Sequence, residues 1–209
     1  LTTCGAVMEA VSTVQELAEK GYRRVVLACG VFDGVHRGHQ CVLQELCATA
    51  ARRNATPIAL TFNPHPRSIL SRTPPRALTT SWQKNRLLQE YGADRVVMIH
   101  FSHQVAELEA GEFVHRHILD SALDVAGICV GESWRFGRNG EGDVELLRQI
   151  GERRGFEVVA VPELTWHRKP ISSTRIRTAV QEGRLDRVRR MLGRPYRVCG
   201  HVIHGKGIG

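Results

Sequence analysis

Two histidines three residues apart, His36 and His39, are the first chemical handle in the sequence. They close the stretch Gly30-Val31-Phe32-Asp33-Gly34-Val35-His36-Arg37-Gly38-His39. An imidazole can donate a hydrogen bond and follow charge that develops on a phosphoryl group. The apolar run Val25-Val26-Leu27-Ala28-Cys29 precedes the stretch, and Val42, Leu43, Leu46, Cys47 and Ala50 follow it at helical spacing. The pattern predicts a strand, a tight loop and a helix N-terminus. Free N–H groups at a helix start attract phosphate, and Gly30, Gly34 and Gly38 keep the backbone open beside them. No third ligand stands near the two histidines, so no metal site is expected on them.

Three later segments carry chemistry of the same kind. In Ile171-Ser172-Ser173-Thr174-Arg175-Ile176-Arg177, hydroxyls at a helix start can cap it or donate to a phosphate, and Arg177 shares the helical face of Thr174. Read alone, this is first an ordinary N-cap beside a solvated arginine. Asn63-Pro64-His65-Pro66 ends the predicted strand Pro57–Phe62 as a stiff loop, either a plain turn or part of a ligand site at a strand's carboxyl end. Gly131-Glu132-Ser133-Trp134-Arg135-Phe136-Gly137, followed by Arg138 and Gly140 to Asp143, sits at another strand end. Its glycines permit unusual backbone angles near a ligand.

These segments need a scaffold, and the apolar pattern supplies one. Strands are predicted at 24–29, 57–62, 95–100, 126–130 and 156–162, with helices at about 38–53, 80–91, 104–121, 143–154 and 184–192 between and after them. A short strand and a helix capped by Ser12 or Thr13 are expected in 6–20. The alternation predicts an α/β fold with a doubly wound, five-stranded parallel sheet. The 209 residues suffice for one such domain and a fragment of a second. Gly193-Arg194-Pro195 reads as a linker. Residue 1 is Leu rather than Met, so a processed, clipped or renumbered start is expected.

The net charge of +8 comes from dispersed arginines, which suits a phosphate-rich small ligand at least as well as nucleic acid. The six cysteines, at 4, 29, 41, 47, 129 and 199, form no C-x-x-C pair. They read as reduced, mostly buried thiols of a cytoplasmic protein. No apolar run reaches membrane-spanning length, and no secretory signal opens the chain.

The first stretch, G-x-F-D-G-x-H-x-G-H, resembles the nucleotide-binding motif of the HxGH nucleotidyltransferases. In its F-D-G-V-H form it is most similar to the bacterial bifunctional riboflavin kinase/FMN adenylyltransferases, or FAD synthetases. Thr61 to Pro66 resembles their T-F-x-P-H-P segment, Gly131 to Asp143 their G-x-[DN]-F-x-F-G…G-D segment, and Ile171 to Arg177 their I-S-S-T-x-I-R motif. Two positions depart. Ser133 stands where the family usually carries Asp or Asn, and Trp82-Gln83-Lys84 replaces the end of L-T-x-x-E-K, a change read as structural. Glu112-Phe113 matches a family position read as core packing. Tyr196 to Gly209 resembles the opening strand and glycine loop of the riboflavin kinase module. The resemblance therefore divides the chain into a nucleotidyltransferase domain, 1–192, and the start of an incomplete kinase domain, 193–209.

The resemblance implies a Rossmann-like fold and the transfer of an adenylyl group from ATP to FMN, giving FAD and pyrophosphate. It implies catalytic roles for His36, His39 and Arg177. Nucleotide contacts would come from Gly30, Phe32, Asp33, Gly34, Gly38, Ser133, Ser173 and Thr174. Flavin contacts would come from Phe62, Asn63, Pro64, His65, Phe136 and Arg138, with Phe62 or Phe136 stacked on a ring. Mg²⁺ would ride on the ATP phosphates rather than on protein ligands. The expected partners are small molecules, without nucleic acid or membrane, in a monomer or weak homo-oligomer; riboflavin phosphorylation is expected of a longer protein. Three other readings stay open here: an adenylyl- or cytidylyltransferase with another acceptor, a non-catalytic flavin- or nucleotide-binding module, and a nucleic-acid binder.

Overall fold

The structure, a computed structural model, describes residues 9–120 and 122–200. The strands are β1 (Arg24–Cys29), β2 (Thr56–Asn63), β3 (Arg95–His100), β4 (Asp124–Gly131) and β5 (Glu157–Val161), with a two-residue-per-strand hairpin, β6 (Thr165–Trp166) and β7 (Lys169–Pro170). The helices are α1 (Val14–Glu19), α2 (Arg37–Arg53), α3 (Pro66–Leu70), α4 (Ser81–Glu90), α5 (His103–Ala106), α6 (Ala110–Val114), α7 (Val144–Arg154), α8 (Ser173–Gln181) and α9 (Leu185–Leu192).

β1 to β5 form one parallel sheet in the order β3-β2-β1-β4-β5. The expected doubly wound α/β fold is therefore the observed one. β1 is central, and its side chains alternate between two cores, as a period of two requires. Val25, Leu27 and Cys29 pack on one face with Leu17 of α1, Phe113 of α6 and Leu147 of α7. Val26 and Ala28 pack on the other with Val42, Leu43 and Leu46 of α2 and Leu88 of α4. A smaller cluster, Ile176, Ala179, Val188, Met191 and Leu192, joins α8 to α9. The strand order reverses at β1, so the loops after β1 and β4 leave in opposite directions and open a crevice between them.

Several local expectations change. The helix expected over 104–121 is α5, α6 and a π-helical turn at His115–Leu119. The interruption between α5 and α6 lets Leu108 O accept the Arg138 N–H at 2.7 Å. Phe113 is core, but Glu112 is exposed and paired with Arg116. The stiff loop after β2 turns into α3 at Pro66, because a proline's missing N–H is harmless at a first helical position. The hairpin before α8 was not expected. Gln83 completes a capping box with Thr80, accepting the Thr80 N–H at 2.9 Å. Near the start, Thr13 caps α1 and Val11 bridges to Val97. The expected kinase opening strand lies mostly outside the described residues.

Cys29 and Cys129 are buried free thiols. No helix among the described residues is long and apolar enough to cross a membrane.

The loop after β4 is held by a close approach at Gly137. Its φ is +74°, and a Cβ there would meet the Ala110 Cα at 2.6 Å. Gly137→Ala is expected to lose on the order of 2–3 kcal/mol of stability, through strain and overlap together. Urea unfolding of the two proteins measures the loss directly.

Candidate active site

A cleft of about 520 Å³ opens at the carboxyl ends of β1, β4 and β5. Its wall includes Gly30, Phe32, His36, Gly38 and His39 from the β1 loop and the start of α2. Facing these are Ser172, Ser173, Thr174 and Arg177 at the start of α8, with Ser133 and Trp134 from the β4 loop and His65 from the β2 loop. Two helix N-termini thus converge on one cavity. A separate, mostly apolar pocket between α4 and residues 192–199 contains neither histidine.

His36 is the N-cap of α2, and its Nδ1 accepts the His39 N–H at 3.3 Å. That bond leaves the His36 proton on Nε2, the atom free to donate. The two imidazoles stack, with centroids 3.6 Å apart and planes at 17°, and Phe32 abuts His39 edge-on at 5.2 Å. Burial lowers the His36 pKa to about 4 although Asp33 opposes the shift. Burial also lowers that of His39, helped by His36, Lys84 and Arg194. Both rings are therefore neutral donors at neutral pH. The buried His39 Nδ1 has no hydrogen-bond partner among the described residues.

Asp33 lies behind this wall, not on it. Its carboxylate accepts the Leu78 N–H at 2.9 Å and the Thr79 N–H at 3.2 Å, and pairs with Arg177 at 2.5 Å. Both side chains of the pair are nearly sheltered from water, at 12% and 5% exposure. The Asp33 carbonyl accepts the Ser173 hydroxyl at 2.9 Å. Gly34 belongs to the same fastening: its φ is +81°, and a Cβ would meet the Leu78 Cδ1 at 2.9 Å.

The aromatic expectations need correction in placement. Phe62 is 6% exposed and packs among Phe101 and Phe113, while Phe136 is 5% exposed against Phe113. Both rings face the core because the large apolar face beneath the loops needs filling. The aromatics on the cleft wall are Phe32, which abuts His39, and Trp134, stacked on Phe136 at 4.5 Å. Asn63 accepts from Ser81 at 2.8 Å, and Arg138 pairs with Glu109 at 3.2 Å; these two and Pro64 are off the cleft wall. His65 is on the wall, but its Nδ1 caps α3 by accepting the Arg67 N–H at 3.0 Å.

Sequence reasoning missed Trp134, Lys84 and Arg194. An aromatic two residues from Phe136, with a glycine before and after the pair, was the available signal for Trp134. Arg194 lies in the expected linker, yet it donates to the Gly34 carbonyl at 2.6 Å and the Val35 carbonyl at 2.9 Å, clasping the histidine loop from behind. Nothing local marks that contact across the chain.

The family model described as FAD synthetase matches residues 18–175. The chain belongs to the FAD synthetase family. It is 33% identical to an FAD synthetase of Listeria monocytogenes over 201 residues, covering 95% of this chain and 80% of that protein. It is 33% identical to a bifunctional riboflavin kinase/FMN adenylyltransferase of Escherichia coli, over 97% of this chain and 64% of that one. With the protein of the same description from Buchnera aphidicola the identity is 35%, over 88% and 59%. The chain thus spans about three-fifths of the length of these bifunctional relatives. A solved structure titled a macrolide-efflux protein, from Streptococcus pneumoniae, superposes with a TM-score of 0.77 at 26% identity, covering 91% of this chain and 61% of that one.

The depressed His36 pKa has a consequence for stability. Protonation favours the unfolded chain, whose histidine titrates near 6.5, over the folded one, whose value is about 4. Stability should therefore be undiminished above pH 7, fall between about pH 6.5 and 4, and level off below, with His36 contributing about 3 kcal/mol of the fall. His36→Asn retains a capping oxygen. Its unfolding free energy, measured in urea at pH 7 and pH 4, should drop less than the wild-type value by about that amount.

Proposed function

We propose that the chain transfers the adenylyl group of ATP to FMN. An oxygen of the FMN phosphate forms a bond to the α-phosphorus, the bond from that phosphorus to the β-phosphate oxygen breaks, and pyrophosphate leaves. The observation that carries this reading is the convergence of two helix N-termini, one bearing paired histidines and the other two hydroxyls, on one cleft at the strand-order reversal. A phosphate monoester is already anionic near neutral pH, so catalysis needs alignment and charge stabilisation more than a base.

In this reading His36 and His39 are the catalytic pair. As neutral donors they hold the triphosphate without competing for the nucleophile's proton. Ser173, Thr174 and the N–H groups at the start of α8 bind phosphate from the opposite wall. Arg177 contributes its remaining donors while Asp33 fixes its plane. Trp134, rather than Phe62 or Phe136, offers a face to the flavin or the adenine. Mg²⁺ enters with ATP, bound mainly through the phosphates. Residues 1–192 are the transferase domain, and 193–209 lead into a riboflavin kinase module whose activity belongs to the longer protein. The substrates are small molecules; nucleic acid and membrane play no part, and the chain acts in the cytoplasm as a monomer or weak homo-oligomer.

Incubation of the chain with MgATP and FMN, followed by chromatography, should show FAD. Binding of both substrates without product would instead identify a binding module. Pantetheine phosphate and glycerol phosphate as acceptors test for a related transferase. His39→Ala should lower the turnover by roughly 10²–10³-fold with the fold intact, the scale for losing one charge-stabilising donor. Wild-type turnover in that variant would remove His39 from the chemistry.

Ser133 stands on the cleft wall and is exposed. Its hydroxyl reaches less far than a carboxylate or amide, so Ser133→Asn should keep or raise the affinity for ATP, read by titration calorimetry. A large loss of affinity would mean that the site is fitted to serine.

A further inference from the structure

Lys84 is a buried cation that the mechanism above leaves unused. It lies on α4, 7% exposed. Its ammonium donates to the Phe62 carbonyl at 2.6 Å and to the Val31 carbonyl at 3.4 Å. The Val31 carbonyl also accepts the Thr61 hydroxyl at 2.9 Å. Val31 opens the histidine loop, and Phe62 precedes the loop that carries His65 to the cleft wall, so one side chain joins two segments that line the cleft.

The charge balance around it is uneven. Among the described residues no carboxylate forms an ion pair with Lys84, and Asp33, the acidic group nearby, already pairs with Arg177. His36 and His39 are neutral. One carboxylate thus faces two cations, a net positive charge in a place where an ion is costly to bury. A neutral donor such as glutamine would satisfy the two carbonyls without that cost. An anion in the adjoining cleft would balance the excess.

We propose that Lys84 is a positioning residue of the adenylyl-transfer site, tying the histidine loop to the loop that bears His65 and supplying the unbalanced positive charge beneath the phosphates that meet in the cleft. The proposal rests on the reading of the cleft as a site for phosphates. Burial pulls the Lys84 pKa down to about 8, against the upward pull of Asp33. The titratable groups that face it are Asp33 from the β1 loop, His39 from α2 and His65 from the β2 loop. Lys84 is thus charged at neutral pH and loses its proton at mildly alkaline pH, unless bound phosphate holds it.

The test compares the wild-type chain with Lys84→Gln, which retains a donor but no charge, and Lys84→Arg, which retains the charge. Circular dichroism and urea unfolding first establish that each is folded. In wild type, kcat/KM should fall above about pH 8, while kcat falls only at higher pH. Lys84→Gln should lose about 10- to 100-fold in kcat at pH 7, the scale for misplaced reacting groups, and lose the alkaline fall. Lys84→Arg should recover most of the kcat and carry the fall beyond pH 9. A folded Lys84→Gln with wild-type kcat and an unchanged pH profile overturns the proposal. So does a Lys84→Arg no better than Lys84→Gln. If the wild type makes no FAD, calorimetry with MgATP separates the two failures: affinity about tenfold weaker in Lys84→Gln at pH 7, but not at pH 9.5, upholds the role of the charge, and equal affinities at both pH values dismiss it.

Discussion

The buried pair between Asp33 and Arg177 is the constraint on which the cleft depends. It joins the loop after β1 to α8, two segments more than a hundred residues apart in sequence. Removing one partner of such a pair leaves a charge stranded away from water, a loss of about 3–5 kcal/mol. Asp33 also takes the N–H groups of Leu78 and Thr79, and its carbonyl takes Ser173. One residue thus fixes the histidine loop, the entry to α4 and the start of α8 against one another. The two helix starts on the cleft wall face each other because of it.

This arrangement separates the residues that hold the loop from those that line the cleft. Asp33, Gly34 and Arg194 lie behind the histidine loop and set its shape. His36, His39, Ser173 and Thr174 stand in front, on the cleft wall. The stacked imidazoles are kept neutral by burial and by nearby cations, so they remain hydrogen-bond donors of modest strength whose positions are set before a ligand arrives. Preorganisation of that kind favours charge that develops on a phosphoryl group, because the protein need not rearrange as it forms.

The aromatic residues follow the same division. The carboxyl end of the sheet needs bulky side chains under its loops, and Phe62, Phe101, Phe113 and Phe136 fill that space. A ring used there is unavailable to a ligand. Trp134 rests on this layer and presents a face outward.

The sequence by itself determined the sheet, its parallel sense and the strand ends at which the cleft opens. Apolar runs of five or six residues alternating with helical periodicity have few other ways to bury both faces of a strand. It also determined the helix starts at His36 and Ser172, since capping is local chemistry within four residues. What only the tertiary structure decided is which residues of each motif face the cleft and which face inward. Asp33 and Gly34 sit within the same ten residues as the histidines, yet they turn away to bind Arg177 and to pass Leu78. Trp134 and Phe136 are two residues apart and divide between wall and core. Lys84 and Arg194 come to the site from α4 and from beyond α9, through contacts that no spacing in the chain encodes. Motif spacing is a property of neighbours along the chain, whereas burial and charge balance belong to neighbours in space.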